Sequence, residues 1–248
     1  MKAMILAAGL GTRLQPLTDH RPKALVEVAG HTLLEITLRR VASFGIREVI
    51  VNVHHFSDMV IDYLEKKRNF GLRIEVSRED DLLLDTGGGL KKAAWFFLEG
   101  HTHEPFLVHN VDVISSIDFS GMLHFHRANN ALATLAVQQR ETSRLLLFDE
   151  RNRLCGRQVG KHAPEIVRRA SRTTALAFSG IHVISPALLG MINEQGAFSI
   201  ITTYLRLAAA GNHISAFRAD EYDWRDLGKP EHISQATADI ERGVLALM

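Results

Sequence analysis

The residues that most restrict this chain stand at its start. A short apolar run, Ala3-Met4-Ile5-Leu6-Ala7-Ala8, gives way to Gly9-Leu10-Gly11-Thr12-Arg13-Leu14-Gln15-Pro16-Leu17-Thr18, and Arg21-Pro22-Lys23 follows. The run has the length and apolarity of a buried strand. The two glycines let backbone N–H groups come close to a ligand, because no Cβ intervenes. Successive amides in such a loop form an anion-binding nest. Arg13 and Lys23 bring two fixed positive charges to the same mouth. The simplest ligand for that arrangement is a polyphosphate.

Two common phosphate motifs do not account for it. A P-loop needs Gly-x-x-x-x-Gly-Lys-Ser/Thr, which is absent. A dinucleotide fingerprint needs a third glycine where Leu14 stands. Gly9-x-Gly11 alone also fits a plain strand-to-loop turn. The added Thr12-Arg13, Pro16, Thr18 and Pro22-Lys23 make the pattern far more specific.

Downstream, the apolar spacing predicts alternating elements. Residues 32–44 carry a helical stripe that Gly45 stops. Val49-Ile50-Val51 marks a strand over 46–53, Ser57 is placed to cap a helix through Lys67, and 72–76 read as a third strand. Such alternation predicts crossover units and a mainly parallel sheet, with phosphate groups at the carboxyl ends of its strands. Thr86-Gly87-Gly88-Gly89 reads as a glycine-rich lead into a helix over 90–98. A strand over 105–108 runs into His109-Asn110-Val111-Asp112; a helix over 119–127 and a strand over 131–138 follow. Residues 145–148 and 154–159 form a hairpin around 149–152, and 161–172, without a clear period, read as a mobile loop. A strand over 175–184, a helix opened by Pro186, a helix over 198–210, a strand over 214–217 and a last helix from Pro230 to about Gly243 complete the chain. No linker or composition shift interrupts residues 1–248, which predicts a single domain.

The 29 basic and 28 acidic residues leave a formal charge of +1, which argues against a broad nucleic-acid surface. One cysteine, Cys155, excludes an internal disulfide and fits a reducing cytoplasm. The N-terminal pattern is not that of a signal peptide, and no apolar stretch is long enough for a bilayer, so no membrane partner is expected. The thirteen histidines, including His54-His55 and His124-x-His126, lack a carboxylate-supported zinc spacing.

Two aspartates stand out. Asp112 follows an apolar strand, and Asp226 lies in Trp224-Arg225-Asp226-Leu227-Gly228. Either alone fits a turn or helix cap. Beside a phosphate loop the pair suggests Mg²⁺, which favours few carboxylates completed by substrate phosphates and water.

The extended opening pattern resembles the signature of the sugar-1-phosphate nucleotidylyltransferases, the nucleotide-sugar pyrophosphorylases, and the likeness covers nearly the whole chain. It implies an α/β fold: a Rossmann-like mixed, mainly parallel sheet flanked by helices, here without the C-terminal β-helix of longer relatives. It implies that Asp112, in Asn110-Val111-Asp112, and Asp226 hold the metal, Mg²⁺. Val111 replaces the glycine or serine more usual there and makes that backbone less permissive. Arg13 is implied on the outer phosphates and Lys23 near the α-phosphate, as the catalytic cations. Leu6, Ala8, Gly9, Gly11 and Thr12 complete the nucleotide loop. Asp85-Thr86-Gly87-Gly88 matches the segment that meets the nucleobase, by close backbone approach to the base edge; a flexible helix lead-in is the plainer reading of those glycines. Phe178-Ser179-Gly180-Ile181 matches a segment bordering the sugar, which implies Gly180 and Asn110 as sugar contacts. Some relatives grip the sugar phosphate with a lysine from the middle of the chain; the context of Lys161 does not match, and it is given no role.

The implied reaction joins an NTP and a sugar 1-phosphate into an NDP-sugar and pyrophosphate. The phosphate oxygen is already anionic and attacks the α-phosphorus in line, so positioning and charge compensation dominate. The short chain is similar to uridylyl- and guanylyltransferases acting on N-acetylmuramate or hexose and heptose 1-phosphates; size favours UTP with N-acetylmuramate 1-phosphate. The alternatives are a cytidylyltransferase for phosphocholine or a similar phosphate, and, from another class, a non-catalytic nucleotide-sugar-binding subunit. Retention of Arg13, Lys23, Asp112 and Asp226 together argues against the latter. Some relatives are dimers or larger, and a homo-oligomer is left open.

Overall fold

The apolar run at the N-terminus forms a strand in the middle of a ten-stranded sheet, in a computed structural model that describes residues 1–101 and 103–244. In chain order the strands are β1 (Ala3–Leu6), β2 (Glu27–Val28), β3 (His31–Thr32), β4 (Glu48–Val53), β5 (Arg73–Arg78), β6 (Phe106–Asn110), β7 (Val113–Ser115), β8 (Ala133–Gln138), β9 (Arg144–Phe148), β10 (Leu154–Val159), β11 (Glu165–Ile166), β12 (Thr174–Ile184), β13 (Ile214–Arg218) and β14 (Trp224–Asp226). The α-helices are α1 (Leu33–Ser43), α2 (Ser57–Lys66), α3 (Asp85–Lys92), α4 (Ala94–Leu98), α5 (Phe119–Ala128), α6 (Ile200–Ala209) and α7 (Pro230–Glu241).

The sheet runs β11-β10-β9-β12-β6-β1-β4-β5, with β8 beside β12 and β13 beside β8. β6, β1, β4 and β5 are parallel, as the alternating helices of this half require. β12 turns antiparallel to β6 and carries the second half of the sheet, including the 144–159 hairpin. Outside it, β7 pairs with β14, and β2 with β3.

Both faces of the central strands are buried, and parity decides which core each residue joins. Ala3, Ile5, Val49, Val51 and Leu107 face α1, α2 and α5, with Leu38, Val60 and Met122. Met4, Ile50, Phe106 and Val108 face α3, α4 and α6, with Leu90, Phe96 and Tyr204. A strand covered on both sides cannot show polar alternation, which is why this half reads as continuous apolar runs. α1 is capped by Thr32, whose Oγ1 accepts from the Glu35 N–H at 3.1 Å, and Gly45 follows it at φ +77°.

Four local expectations are corrected. Ser57 does not cap α2; it is the first helical residue after a left-handed Phe56, and its hydroxyl donates to the His54 carbonyl. The helix expected from Leu90 begins at Asp85, so Thr86 to Gly89 are helical rather than a lead-in. Pro186 opens a single 3₁₀ segment, Pro186–Met191. The 161–172 stretch includes β11, which pairs with β10. Among the described residues no helix is long and apolar enough to cross a membrane.

Candidate active site

Register aligns the parts of the site. Leu6, at the end of β1, lies between Asn52 of β4 and Asn110 of β6. Asn52 is buried, and its Oδ1 accepts from the Ala7 N–H at 2.8 Å. Its Nδ2 donates to Glu79 Oε1 at 2.7 Å, and Glu79 Oε2 accepts from the Leu84 N–H at 2.8 Å. This relay joins the exit of β1 to the start of α3.

Beyond β1, Ala8 is buried while Gly9, Thr12 and Arg13 are exposed. Gly11 has φ +68°, a region that disfavours a side chain. A Cβ there would stand 2.8 Å from Thr18 Cγ2 and 3.2 Å from Lys23 Cβ. The Thr18 hydroxyl donates to the Gly11 carbonyl at 2.8 Å. The loop therefore closes on the base of Lys23, and glycine at 11 permits it.

Lys23 Nζ donates to Asp112 Oδ2. Both side chains are largely buried, at 13% and 14% exposure, so this pair is shielded from water. Asp112 reaches it because Val111 N–H continues the β6–β1 ladder to the Leu6 carbonyl at 3.1 Å. The Leu227 N–H donates to the Asp112 carbonyl at 2.8 Å and so fastens the two aspartate segments together. Asp226 Oδ1 accepts from the Gly228 N–H at 2.7 Å, and its Oδ2 lies 4.0 Å from Arg13 Nη1. A Cβ on Gly228 would stand 2.6 Å from Arg13 Nη2 and 2.7 Å from Asp226 Oδ1. Arg13 and Lys23 thus each face one of the two aspartates, drawn from the loops after β1 and β6 and from the end of β14.

On the sugar side, Gly180 has φ +75°, and a Cβ there would stand 2.8 Å from Asn110 Nδ2. Asn110 packs directly on Gly180. Trp224 Nε1 donates to the Ser179 carbonyl at 2.7 Å. Arg140 lies over the Trp224 ring, 3.9 Å from its centroid, and its Nη2 donates to the Phe178 carbonyl at 2.8 Å. Burial pulls the Arg140 guanidinium below its usual range, and the charge of Asp226 opposes that shift. Beneath the site, His109 Nδ1–H donates to the Asn110 carbonyl at 2.8 Å. Burial pushes His109 down to about 4, against the pull of that bond and of Asp112.

The glycines at 87 and 88 have a different reason from the one read in the sequence. A Cβ on Gly87 would stand 2.3 Å from Phe198 Cε2, and one on Gly88 2.5 Å from the Gly196 carbonyl. Both N–H groups donate to the Phe198 carbonyl, at 2.9 and 3.3 Å. Their backbone is approached by the 196–198 loop, so packing of α3 accounts for them without a base edge. Asp85 is exposed at φ +57°, its Oδ1 accepts from the Thr86 N–H at 2.6 Å, and Thr86 Oγ1 accepts from the Ile200 N–H at 3.0 Å.

The structure brings Arg13, Lys23, Asp112 and Asp226 into one linked group, with Asn110 and Gly180 paired beside it. Asn52, Glu79 and Arg140 were not singled out in the sequence. Asn52 is visible there as a lone polar residue inside Val49-Ile50-Val51-Asn52-Val53; Arg140 has no comparable mark. Lys161 is exposed in the turn after β10. A separate cavity, lined by His103, Pro105, His126, Arg127 and Ser185, lies at the opposite end of the sheet. Among the described residues no three His, Cys, Asp or Glu side chains gather as metal ligands. A cation held here would have two carboxylates and would need substrate oxygens and water, which is how Mg²⁺ is commonly bound. That donor set is all oxygen, which suits a hard divalent ion; Lys23 and Arg13 face the same two carboxylates and would share them with it.

The "Nucleotidyl transferase" family model matches residues 2–145. The N-acetylmuramate α-1-phosphate uridylyltransferase of Caulobacter vibrioides is 36% identical over 236 residues, covering 92% of each chain. The mannose-1-phosphate guanyltransferase of Yarrowia lipolytica is 30% identical over 241 residues, 96% of this chain and 63% of that one. The crystal structure of HddC from Yersinia pseudotuberculosis complexed with GMP-PN superposes with a TM-score of 0.76 at 20% identity, covering 96% of this chain and 99% of that one, a likeness of fold.

Proposed function

The chain belongs to the nucleotidyl transferase family, and from that premise we propose that it is an enzyme joining an NTP to a sugar 1-phosphate with release of pyrophosphate. The observation that carries the reading is the paired arrangement of Lys23 with Asp112 and Arg13 with Asp226 at the carboxyl end of the sheet. Two cations and two carboxylates there match a reaction between two anions.

In this reading the triphosphate lies along the 9–13 loop. Arg13, which is exposed, meets the outer phosphates, and Lys23 meets the α-phosphate. The sugar phosphate oxygen attacks the α-phosphorus in line; the new P–O bond forms as the bond to pyrophosphate breaks. The nucleophile is already ionised, so the site needs no strong general base. Lys23 and Arg13 stabilise the charge that builds on the transferring and leaving groups. Asp112 and Asp226 would hold the divalent ion, proposed as Mg²⁺, which when bound would supply positive charge to offset the repulsion between the two anionic substrates. Gly228 leaves room for Arg13 against Asp226, and Leu227 locks the two aspartate segments. Asn110 and Gly180 border the sugar, and the exposed Asp85 borders the base.

UTP with N-acetylmuramate 1-phosphate is the proposed substrate pair. Its support is the Caulobacter relative, matched over 92% of both chains, whereas the Yarrowia guanyltransferase has over a third of its length outside the match. The test is pyrophosphate release across the four NTPs and a panel of sugar 1-phosphates plus phosphocholine. Release with UTP or GTP and a sugar 1-phosphate supports the reading. Release confined to CTP and phosphocholine moves the chain to the cytidylyltransferases.

A further inference from the structure

We propose that Arg140 binds an anionic group of the sugar substrate, its 1-phosphate or a carboxylate on the sugar. This rests on the functional reading above and adds a third cation to the site, on the side away from the triphosphate loop. The Arg140 guanidinium stacks on Trp224, 3.9 Å from the ring centroid. Trp224 and Asp226 are two residues apart on β14 and so share a face of that strand. Arg140 Nη2 donates to the Phe178 carbonyl, and Trp224 Nε1 donates to the next carbonyl, Ser179. These two bonds set the guanidinium beside the 178–180 bulge, where Gly180 packs against Asn110.

What singles out Arg140 is its place beside the sugar-side bulge with one end of the guanidinium open: Nη2 is held by the Phe178 carbonyl, while Nη1 is neither buried nor hydrogen-bonded among the described residues. Its Nε is buried without a partner, as is that of Arg40 over Phe44 and Phe119, so the open Nη1 end and not Nε is the part that faces a ligand. A methionine of similar reach would cover Trp224 but could neither bond the Phe178 carbonyl nor present a charge at the open end. The planar guanidinium, held by one bond and one ring, presents the geometry that carboxylates and phosphates accept as a fork. Arg13 and Lys23 already face Asp226 and Asp112, so Arg140 is the cation at this mouth held by a ring and a carbonyl rather than by a carboxylate hydrogen bond.

The test compares the native enzyme with Arg140→Met and Arg140→Lys in steady-state pyrophosphate release, with KM measured separately for the NTP and for each sugar 1-phosphate. Arg140→Met is expected to raise KM for the sugar phosphate roughly 10- to 100-fold, the size of one lost charge-assisted contact, with the NTP KM within about twofold. Arg140→Lys, which keeps the charge without the fork, is expected to show a smaller rise confined to the same substrate. It carries the test if the methionine variant does not fold. Glucose, mannose and N-acetylglucosamine 1-phosphates, with neutral rings, separate the two anions from N-acetylmuramate 1-phosphate. An equal rise for all assigns the phosphate; a rise for the acidic sugar alone assigns the carboxylate. An unchanged sugar KM in the folded variants, or an equal rise for the NTP, overturns the proposal while an active native enzyme leaves the functional reading standing. A native enzyme inactive with every pair overturns both.

Discussion

Lowering the pH from 7 to 5 is expected to destabilise the fold strongly through three histidines that lie far from solvent. His109, His126 and His182 are 1%, 2% and 1% exposed. Burial pushes His109 and His126 down to about 4, and His182, with the charge of His109 adding to the effect, down to about 3. The contacts of His126 commit it to the neutral form. Ser185 donates its hydroxyl to the Ala131 carbonyl, so it accepts from His126 Nε2–H, and Nδ1 is left to accept from Thr134. In the unfolded chain each ring takes a proton as the pH drops through about 6.5, whereas in the folded chain it does not until about 4 or 3. Their contribution is therefore complete above about 6.5 and falls by about 1.4 kcal/mol per histidine for each pH unit below it. At pH 5 that amounts to about 2 kcal/mol each and about 6 kcal/mol together, comparable with the whole stability of a typical domain. Carboxylates do not blur this window: Glu194, held down to about 2 chiefly by Arg206, contributes fully above about 4.5 and loses that only at lower pH. Urea unfolding at pH 7, 6 and 5 measures the effect. His126→Gln is expected to shrink the loss between pH 7 and 5 by about 2 kcal/mol. An unfolding free energy constant to about 1 kcal/mol over that range, or the rings of these three histidines titrating near 6.5 by NMR in the native protein, would refute the reasoning.

Lys23→Ala is expected to lower turnover roughly 100- to 1,000-fold, the usual cost of one electrostatic contact to a transition state, and near-normal turnover would contradict the role given to it. Gly87→Ala drives a Cβ to 2.3 Å from the Phe198 ring. Overpacking of that kind costs about 1–3 kcal/mol and should lower Tm by about 2–12 °C in a chain of this size. An unchanged Tm with a raised KM for the NTP would instead favour a base-edge role for this glycine.

The strand-loop start of the chain was legible because its chemistry is local. Gly11, Thr18 and Lys23 lie within thirteen consecutive residues, so the glycines and the cations of this loop could be read together from the sequence. The parallel half of the sheet was legible for a similar reason, since apolar runs and helical stripes alternate without interruption from β1 to β5. Meaning that depends on distant partners was hidden. Gly87 and Gly88 are glycines because Phe198 and Gly196 press on them from over a hundred residues away. Arg140 looks like one surface cation among many until β14 brings Trp224 beneath it. Ser57 has a capping residue's identity and position, but the left-handed Phe56 turns its hydroxyl back to His54. The pairing of Asp112 with Asp226 came from resemblance; the Leu227–Asp112 bond supplies its physical cause.

The most direct measurement is pyrophosphate release by the native protein with Mg²⁺, UTP and N-acetylmuramate 1-phosphate within the wider substrate panel, beside Asp112→Asn. The substitution keeps the size of the side chain and removes the charge that faces Lys23. Release by the native protein with one NTP–sugar pair, lost in the variant, is the predicted result. Equal release from both proteins, or none from any pair by a native protein that binds nucleotide, would contradict the account.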